Sequence, residues 1–358
     1  MKIFIAHEDP WNAGNPYIYT LMESIQEKHS DVSFGWGWNQ FWEDGIFEYD
    51  AVHFQWPQAY MSQAPKDSAY EMLKNRIDAL KQHNVKILST CHDLEPHYNQ
   101  CSDYGKCMTL VYENSDAIFH LGEYSKLIFT QRYPDCKHLL LPHHVYDNLY
   151  KNQYSKIESA QHLSLPQNKT YILCFGSFRS DAERQLVINV SKSINDKSFF
   201  FLAPSFMHVT KYSKKILRKI PTKSRLKQIY YRWKYNIVMS GDDWAPIDDA
   251  ELPYYYGISD VAFIQRPKIL NSGNAVLPFL FNVAIVGPRT GNVEGLLNEY
   301  GYPTFDSENI QSVVKALKKG IELTKENYPS KIQEKALSKM STEVVADKLY
   351  AYYCDVLN

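Results

Sequence analysis

The chain has 358 residues, more than one hydrophobic core normally organises, so two domains are expected. Hydrophobic residues make up 44 % and the formal net charge is -1, which supplies sizeable cores and excludes a protein whose main partner is nucleic acid. Six scattered cysteines suit a reducing cytosol, no apolar run approaches a membrane span, and the first apolar run is too short for a signal peptide, so a cytoplasmic protein is expected.

In chain order, KIFIAHE reads as a strand and Pro16 to His29 as a helix opened by proline. VSFGWGW and AVHFQWP read as strands, followed by an amphipathic helix from Lys66 to His83 with Tyr70, Leu73, Ile77 and Leu80 on one face. VKILSTCHD, AIFHLGEYS and HLLLPHH complete six strands, with a helix over Met108 to Asn114. Runs such as KILST and HLLLP are apolar without alternation, as a parallel sheet covered on both faces requires. Residues 1–146 are therefore expected to form a doubly wound α/β domain.

Residues 147–170 are polar and contain Pro166, which predicts a linker. The alternation restarts with YILCFGSF, a helix from Asp181 to Ile194, and strands in KSFFFLAPSF, YNIVMSG, VAFIQR, FNVAIVGP and PTFD. Helices are expected at Glu308 to Leu323, Tyr328 to Leu337 and Thr342 to Leu357, with a break at Ser338 to Ser341. Residues 171–341 thus predict a second doubly wound domain, facing the first across a cleft at the strand ends.

The stretch from Val261 to Leu297 organises the candidate chemistry. A buried strand ends at Arg266, and the small turn Asn271-Ser272-Gly273 opens an apolar helix. Unpaired N–H groups at such a turn attract a phosphate or carboxylate, and Gly273 has no side chain to hold an anion away. The plainer reading makes Ser272 an ordinary N-cap. In the first half, His92 and Asp93 follow a buried strand, where a histidine can bind a hydroxyl or act as a base near neutral pH. His97 lies in the same loop, and His53 and Trp56 end another strand. Cys91, His92, His97, Cys101 and Cys107 fit no ordinary zinc spacing, and no metal is expected. Residues 211–234 carry ten basic and no acidic residues among many apolar ones, a composition suited to an anionic membrane surface or a solvated basic helix pair.

Four stretches, VHFQWP, TCHDLEPH, CFGSFRSDAER and QRPKILNSGNAVLPFLFNVAIVGPRTGNVEGL, together resemble the GT-B glycosyltransferases, in particular the family 4-like bacterial group with an NSG loop. Their order covers nearly the whole chain. The resemblance implies two Rossmann-like domains, transfer of a sugar from a UDP- or GDP-linked donor to a saccharide or lipid-linked acceptor, and no cofactor. Cell-surface polysaccharide synthesis at the inner face of the plasma membrane is the implied setting. By motif position, Gly176, Arg179, Arg266, Asn271, Ser272 and Gly273 are implied for the donor diphosphate, and Gly291, Asn292 and Glu294 for the donor sugar. His92 and Asp93 are implied as catalytic, and His53, Trp56 and His97 for the acceptor. It also implies that the terminal helix, 342–358, crosses back to the first domain. Two glutamates that the group carries fall here on Ile269 and Leu277, and its lysine falls on Ala182, with Arg184 the candidate substitute. Their loss leaves a non-catalytic sugar-nucleotide or glycan-binding protein as an alternative, beside a GT-B nucleotide-sugar epimerase.

Overall fold

The structure, a computed structural model, describes residues 1–12, 14–57, 68–95, 102–207, 223–239 and 247–358. His97 and the first part of the basic segment, 211–222, lie outside these residues. The chain divides into two compact units, Met1–Leu149 with Ser338–Asn358 and Tyr150–Leu337.

Each unit is built on one sheet. In the first, β1 (Lys2–Ala6), β2 (Ser33–Gly35), β3 (Ala51–Phe54), β4 (Lys86–Cys91), β5 (Ala117–His120) and β6 (Lys137–Leu140) lie in the order β2-β1-β3-β4-β5-β6. All pairs are parallel, with Ile5 beside His53 and His53 beside Leu88. In the second, β7 (Thr170–Leu173), β8 (Phe199–Leu202), β9 (Ile237–Val238), β10 (Val261–Phe263), β11 (Ala284–Pro288) and β12 (Thr304–Phe305) run parallel in the order β12-β11-β10-β7-β8-β9. Strands β3, β5, β10 and β11 are buried along their whole length, so helices must cover both faces. This is the doubly wound α/β class that the unalternating apolar runs predict.

Two stretches differ from their sequence pattern. Within the polar segment 147–170 lies a helix, Lys156–His162, opened by a capping box between Ser155 and Glu158. It packs against the helix Leu252–Ile258, which the aromatic run LPYYYGI did not disclose. Tyr254 stacks at 3.9 Å on Tyr154 and at 3.7 Å on His162, and Lys156 pairs with Asp260 at 2.7 Å. Polar composition here marks one exposed side of a short packed helix. The break expected at Ser338 to Ser341 shrinks to Ser341, because the preceding helix runs Tyr328–Met340.

The terminal helix, Thr342–Leu357, belongs to the first unit. Ser341 caps it by accepting from the Val344 N–H, and both the N–H and the hydroxyl of Thr342 donate to Asp147 Oδ1, at 2.6 and 2.7 Å. Its buried face carries Val345, Leu349 and Tyr353. Around the edge, Lys28 pairs with Asp347 and Glu343, Tyr350 stacks on His29 at 3.6 Å, and the Tyr352 hydroxyl donates to the Leu140 carbonyl at 2.9 Å. The Tyr353 hydroxyl meets His53 Nδ1 at 2.8 Å in the middle of the sheet. No helix among the described residues is long and apolar enough to cross a membrane.

Tyr353, on a helix, is thus a core residue packed against a strand residue 300 positions earlier in the sequence. Tyr353→Ala is expected to cost about 3–5 kcal/mol, as other buried aromatic truncations do. Tyr353→Phe, which leaves His53 Nδ1 unpaired, should cost about 1–3 kcal/mol. Urea unfolding with hydrogen exchange checks this: protection in 1–149 should fall in both variants, and unchanged protection there would contradict the packing described.

Candidate functional site

In a parallel sheet every strand delivers its following loop to the same edge, so neighbouring strands collect residues distant in sequence. In the second unit, β7, β10 and β11 are adjacent, and their outgoing turns hold most of the sequence-predicted residues. Gly176, after β7, has φ +87°, and a Cβ there would lie 2.5 Å from Asn274 Nδ2. That amide donates to the Phe175 carbonyl at 3.0 Å, binding the turn after β7 to the helix that follows β10. Glycine is needed at this approach.

The helix Gly273–Leu280 begins at Ser272, whose side chain does not bond back to cap it. Thr290 likewise stands at the N-cap of the helix Gly291–Glu299 with no side-chain bond. The plain N-cap role for Ser272 therefore fails at the hydroxyl. The two loops are stapled together: Asn292 N–H donates to the Leu270 carbonyl at 2.9 Å, and Asn292 Nδ2 donates to Asn271 Oδ1 at 2.7 Å. Gly291 has φ +56°, and a Cβ would stand 2.4 Å from the Ile269 carbonyl. Gly291 and Asn292 thus hold the loop that carries Asn271 and Ser272. Glu294 sits half-buried in the first turn of the same helix, where a carboxylate favours the dipole.

One residue that sequence reasoning passed over joins these pieces. Glu183, only 3 % exposed, accepts from the Arg179 N–H at 3.2 Å and pairs with Arg266 Nε at 3.3 Å. Arg266 Nη2 also donates to the Ser177 carbonyl at 3.0 Å. The signal was present as Ser180-x-x-Glu183, since Ser180 caps the helix Asp181–Ile194. Arg179 itself is exposed, and its guanidinium holds no ion pair among the described residues. Arg184, the candidate replacement for a donor lysine, is committed elsewhere: it donates to the carbonyls of Phe206 and Phe178, both at 2.9 Å. It braces the backbone.

The first unit gathers a different chemistry. His92 Nε2 lies 2.9 Å from Gln55 Oε1, and a carbonyl oxygen only accepts, so the Nε2 proton is donated there. Gln55 Nε2 in turn points to His53 Nε2 at 3.2 Å, and His53 Nδ1 meets Tyr353. His53 is fully buried and also bonds Thr90 at 2.8 Å, so both ring nitrogens are engaged. The acceptor contact expected of His53 is corrected accordingly: it is a core residue that orients Gln55, and Gln55 orients His92. Trp56 is half-buried and stacks on the His92 ring at 4.2 Å, so one indole face is already covered. Asp93 follows at intermediate exposure.

Tyr17, His143 and His144 complete this cluster and were not singled out from the sequence. The His143 and His144 rings lie 4.9 and 5.0 Å from that of Tyr17, which is also edge-on to His92 at 4.9 Å. The Tyr17 hydroxyl and His144 Nδ1 are buried with no hydrogen-bond partner among the described residues. The doublet in LPHH, directly after a strand, was the available signal. No group of three or more His, Cys, Asp or Glu among the described residues is arranged to hold a metal ion.

No protein-family model matches the sequence, and no curated protein does. Solved structures match over nearly the full length. Sucrose-phosphate synthase (tll1590) from Thermosynechococcus elongatus is 13 % identical, covers 99 % of each chain and has a TM-score of 0.72. Anabaena Alr3699/HepE, solved with UDP, is 13 % identical over 99 % of this chain and 100 % of that one, at a TM-score of 0.68. A glycosyltransferase from Rickettsia africae ESF-5 is 14 % identical over 100 % of this chain and 98 % of that one, at 0.63. The fold is GT-B. A Listeria monocytogenes protein assigned as a UDP-N-acetylglucosamine 2-epimerase also shares it, at 11 % identity, a TM-score of 0.62 and coverage of 99 % and 96 %. At such identities the likeness shows the GT-B fold alone.

The histidines of this GT-B chain also set its acid stability. Burial pushes His53 and His120 down to about 3 and His143 down to about 4, from an ordinary value of 6.5. A histidine held neutral in the folded state takes up a proton only on unfolding. Its stabilising contribution is complete above the unfolded pKa and is withdrawn as pH falls below it, toward the folded value. Each fully buried ring withdraws about 1.4 kcal/mol per pH unit over that window. The histidines held below the ordinary value, His7, His53, His120, His143 and His144, all lie in 1–149, so this unit is expected to lose stability between pH 6.5 and 5 while 150–337 loses little. Hydrogen exchange at several pH values checks it; equal acid sensitivity of the two units would contradict it.

Proposed function

We propose that the chain is a metal-independent glycosyltransferase that moves a sugar from a UDP- or GDP-linked donor to a saccharide or lipid-linked acceptor, in cell-surface polysaccharide synthesis. The observation that carries this reading is the meeting of two helix N-termini without side-chain caps, at Ser272 and Thr290, beside Arg266 and the Gly176 turn. A leaving diphosphate gains negative charge as the sugar C1–O bond breaks, and fixed N–H dipoles with a guanidinium stabilise that charge without reorganising. HepE, which has this fold, was solved with UDP and with UDP-glucose, which supports a nucleotide-sugar donor here. In this reading Arg179 and Arg266 face the diphosphate, with Asn271, Ser272 and Gly273, and Glu294 serves the sugar. Glu183 then sets where Arg266 sits.

His92 is assigned to the acceptor. With its Nε2–H oriented by Gln55, the His92 ring is the group assigned to bind or deprotonate the attacking hydroxyl. Asp93 and Trp56 border it. A nucleotide-sugar epimerase is the second reading, favoured by the Listeria structure, and a binding protein without turnover is the third.

A panel of UDP-, GDP- and dTDP-sugars separates them. Transfer to a saccharide supports the first, inversion of the donor sugar without an acceptor the second, and binding with neither the third. Arg179→Ala and Arg266→Ala are expected to weaken a nucleoside diphosphate by about tenfold or more, since a charge-assisted phosphate contact is worth about 1.5–3 kcal/mol. The bare nucleoside should bind almost unchanged; equal losses would remove both arginines from the diphosphate. His92→Ala should cut turnover with donor affinity kept, and EDTA should leave turnover intact. Inhibition that magnesium reverses would overturn the metal-free assignment.

A further inference from the structure

The helix Lys223–Tyr235 turns its apolar residues outward. Leu226, Ile229, Tyr230 and Trp233 are 54, 52, 43 and 72 % exposed, and their spacing of three, four and seven places them in one stripe. The opposite side is anchored. Gln228 is buried and donates from Nε2 to the Met239 carbonyl at 2.7 Å, and Tyr231 packs on Phe206 at 5.5 Å. Ser191 donates to the Tyr235 carbonyl, and Lys197 Nζ to the Trp233 carbonyl at 3.0 Å. The stripe is therefore held rigidly on the outside of a folded unit, where it costs free energy in water.

Charge identifies what covers it. Lys223, Lys227, Arg232 and Lys234 are exposed around the stripe, Arg225 is half-buried, and the helix has no acidic residue. A second copy of the chain docking by the same face would bring five cations against five, so self-association is disfavoured. A surface that is apolar below and anionic above satisfies both features at once: leucine, isoleucine and the rings enter the acyl boundary while the ammonium and guanidinium groups stay at the headgroups. We infer that the helix Lys223–Tyr235 lies in the plane of an anionic lipid bilayer and holds the second unit on its surface, with Trp233 as its deepest side chain. This stands independently of what the strand-end turns bind.

Cosedimentation of the full chain with phosphatidylcholine vesicles, and with vesicles of equal phosphatidylcholine and phosphatidylglycerol, tests it. Binding is expected to the anionic vesicles, weakening as salt rises, and not to the neutral ones. Trp233→Ser should reduce it by about tenfold or more, because the indole has most of its surface to bury. Ile229→Ser on the same stripe should act in the same direction, and both variants should keep the wild-type thermal midpoint because neither side chain is in the core. Absence of binding to anionic vesicles, equal binding to neutral ones, or undiminished binding by both variants would each overturn the proposal. So would a concentration-dependent dimer in sedimentation that the same substitutions disperse.

Discussion

A single buried carboxylate, Glu183, governs the geometry of the second unit's strand edge. An ion with 3 % exposure is tolerated only when paired and hydrogen-bonded, and Glu183 meets both conditions through Arg266 and the Arg179 N–H. The pair joins positions 83 apart and fixes the turn after β7 against the loop after β10. Gly176 and Gly291 permit the close backbone approaches that let these loops meet, so a Cβ at either would push apart what the ion pair draws together. The price of this arrangement is sensitivity: removing Arg266 strands a buried charge, whereas removing the exposed Arg179 guanidinium disturbs no such pair. The two arginines are therefore unequal structurally, even where they are assigned the same ligand.

In the first unit a hydrogen-bonded network does the corresponding work. Tyr353, His53, Gln55 and His92 form a continuous chain from the last helix through the sheet to its edge. Because burial suppresses the charge on His53, that ring stays neutral at physiological pH, and its hydrogen bonds define its tautomer without needing a counter-ion. The end of the polypeptide thereby reaches a residue assigned to chemistry. Such coupling needs only that each side chain has one satisfied orientation, which low-dielectric burial enforces.

Parallel strands were legible because a strand covered on both faces is apolar without alternation, as VAIVG is. The small-residue turn at Asn271 to Gly273 was legible for the same local reason. Contacts between distant segments were not. His53 looks like a ligand when only its strand end is considered; its partner Tyr353 lies 300 residues on and appears only once the sheet closes. Glu183 was read as an ordinary helix residue because its Arg266 partner depends on β7 and β10 being neighbours, a fact of strand order that spacing does not encode. The helix Leu252–Ile258 was hidden by its aromatics, which suit a strand until Tyr254 is seen stacked on Tyr154 and His162.

The turns of the second unit carry helix-terminal N–H groups, with a guanidinium and an amide that already donate to the Ser177 and Phe175 carbonyls. The first unit offers neutral imidazoles whose burial lowers basicity, with His143 and His144 both held below the ordinary range. A weakly basic ring takes up a proton only once the hydroxyl oxygen has begun to bond elsewhere and has become more acidic. Glycosyl transfer has that order of events, because C1 becomes electron-poor as the diphosphate departs and the acceptor oxygen acidifies as it attacks. The proposed transfer asks for an anion site at the turns of the second unit and a proton acceptor among the rings of the first.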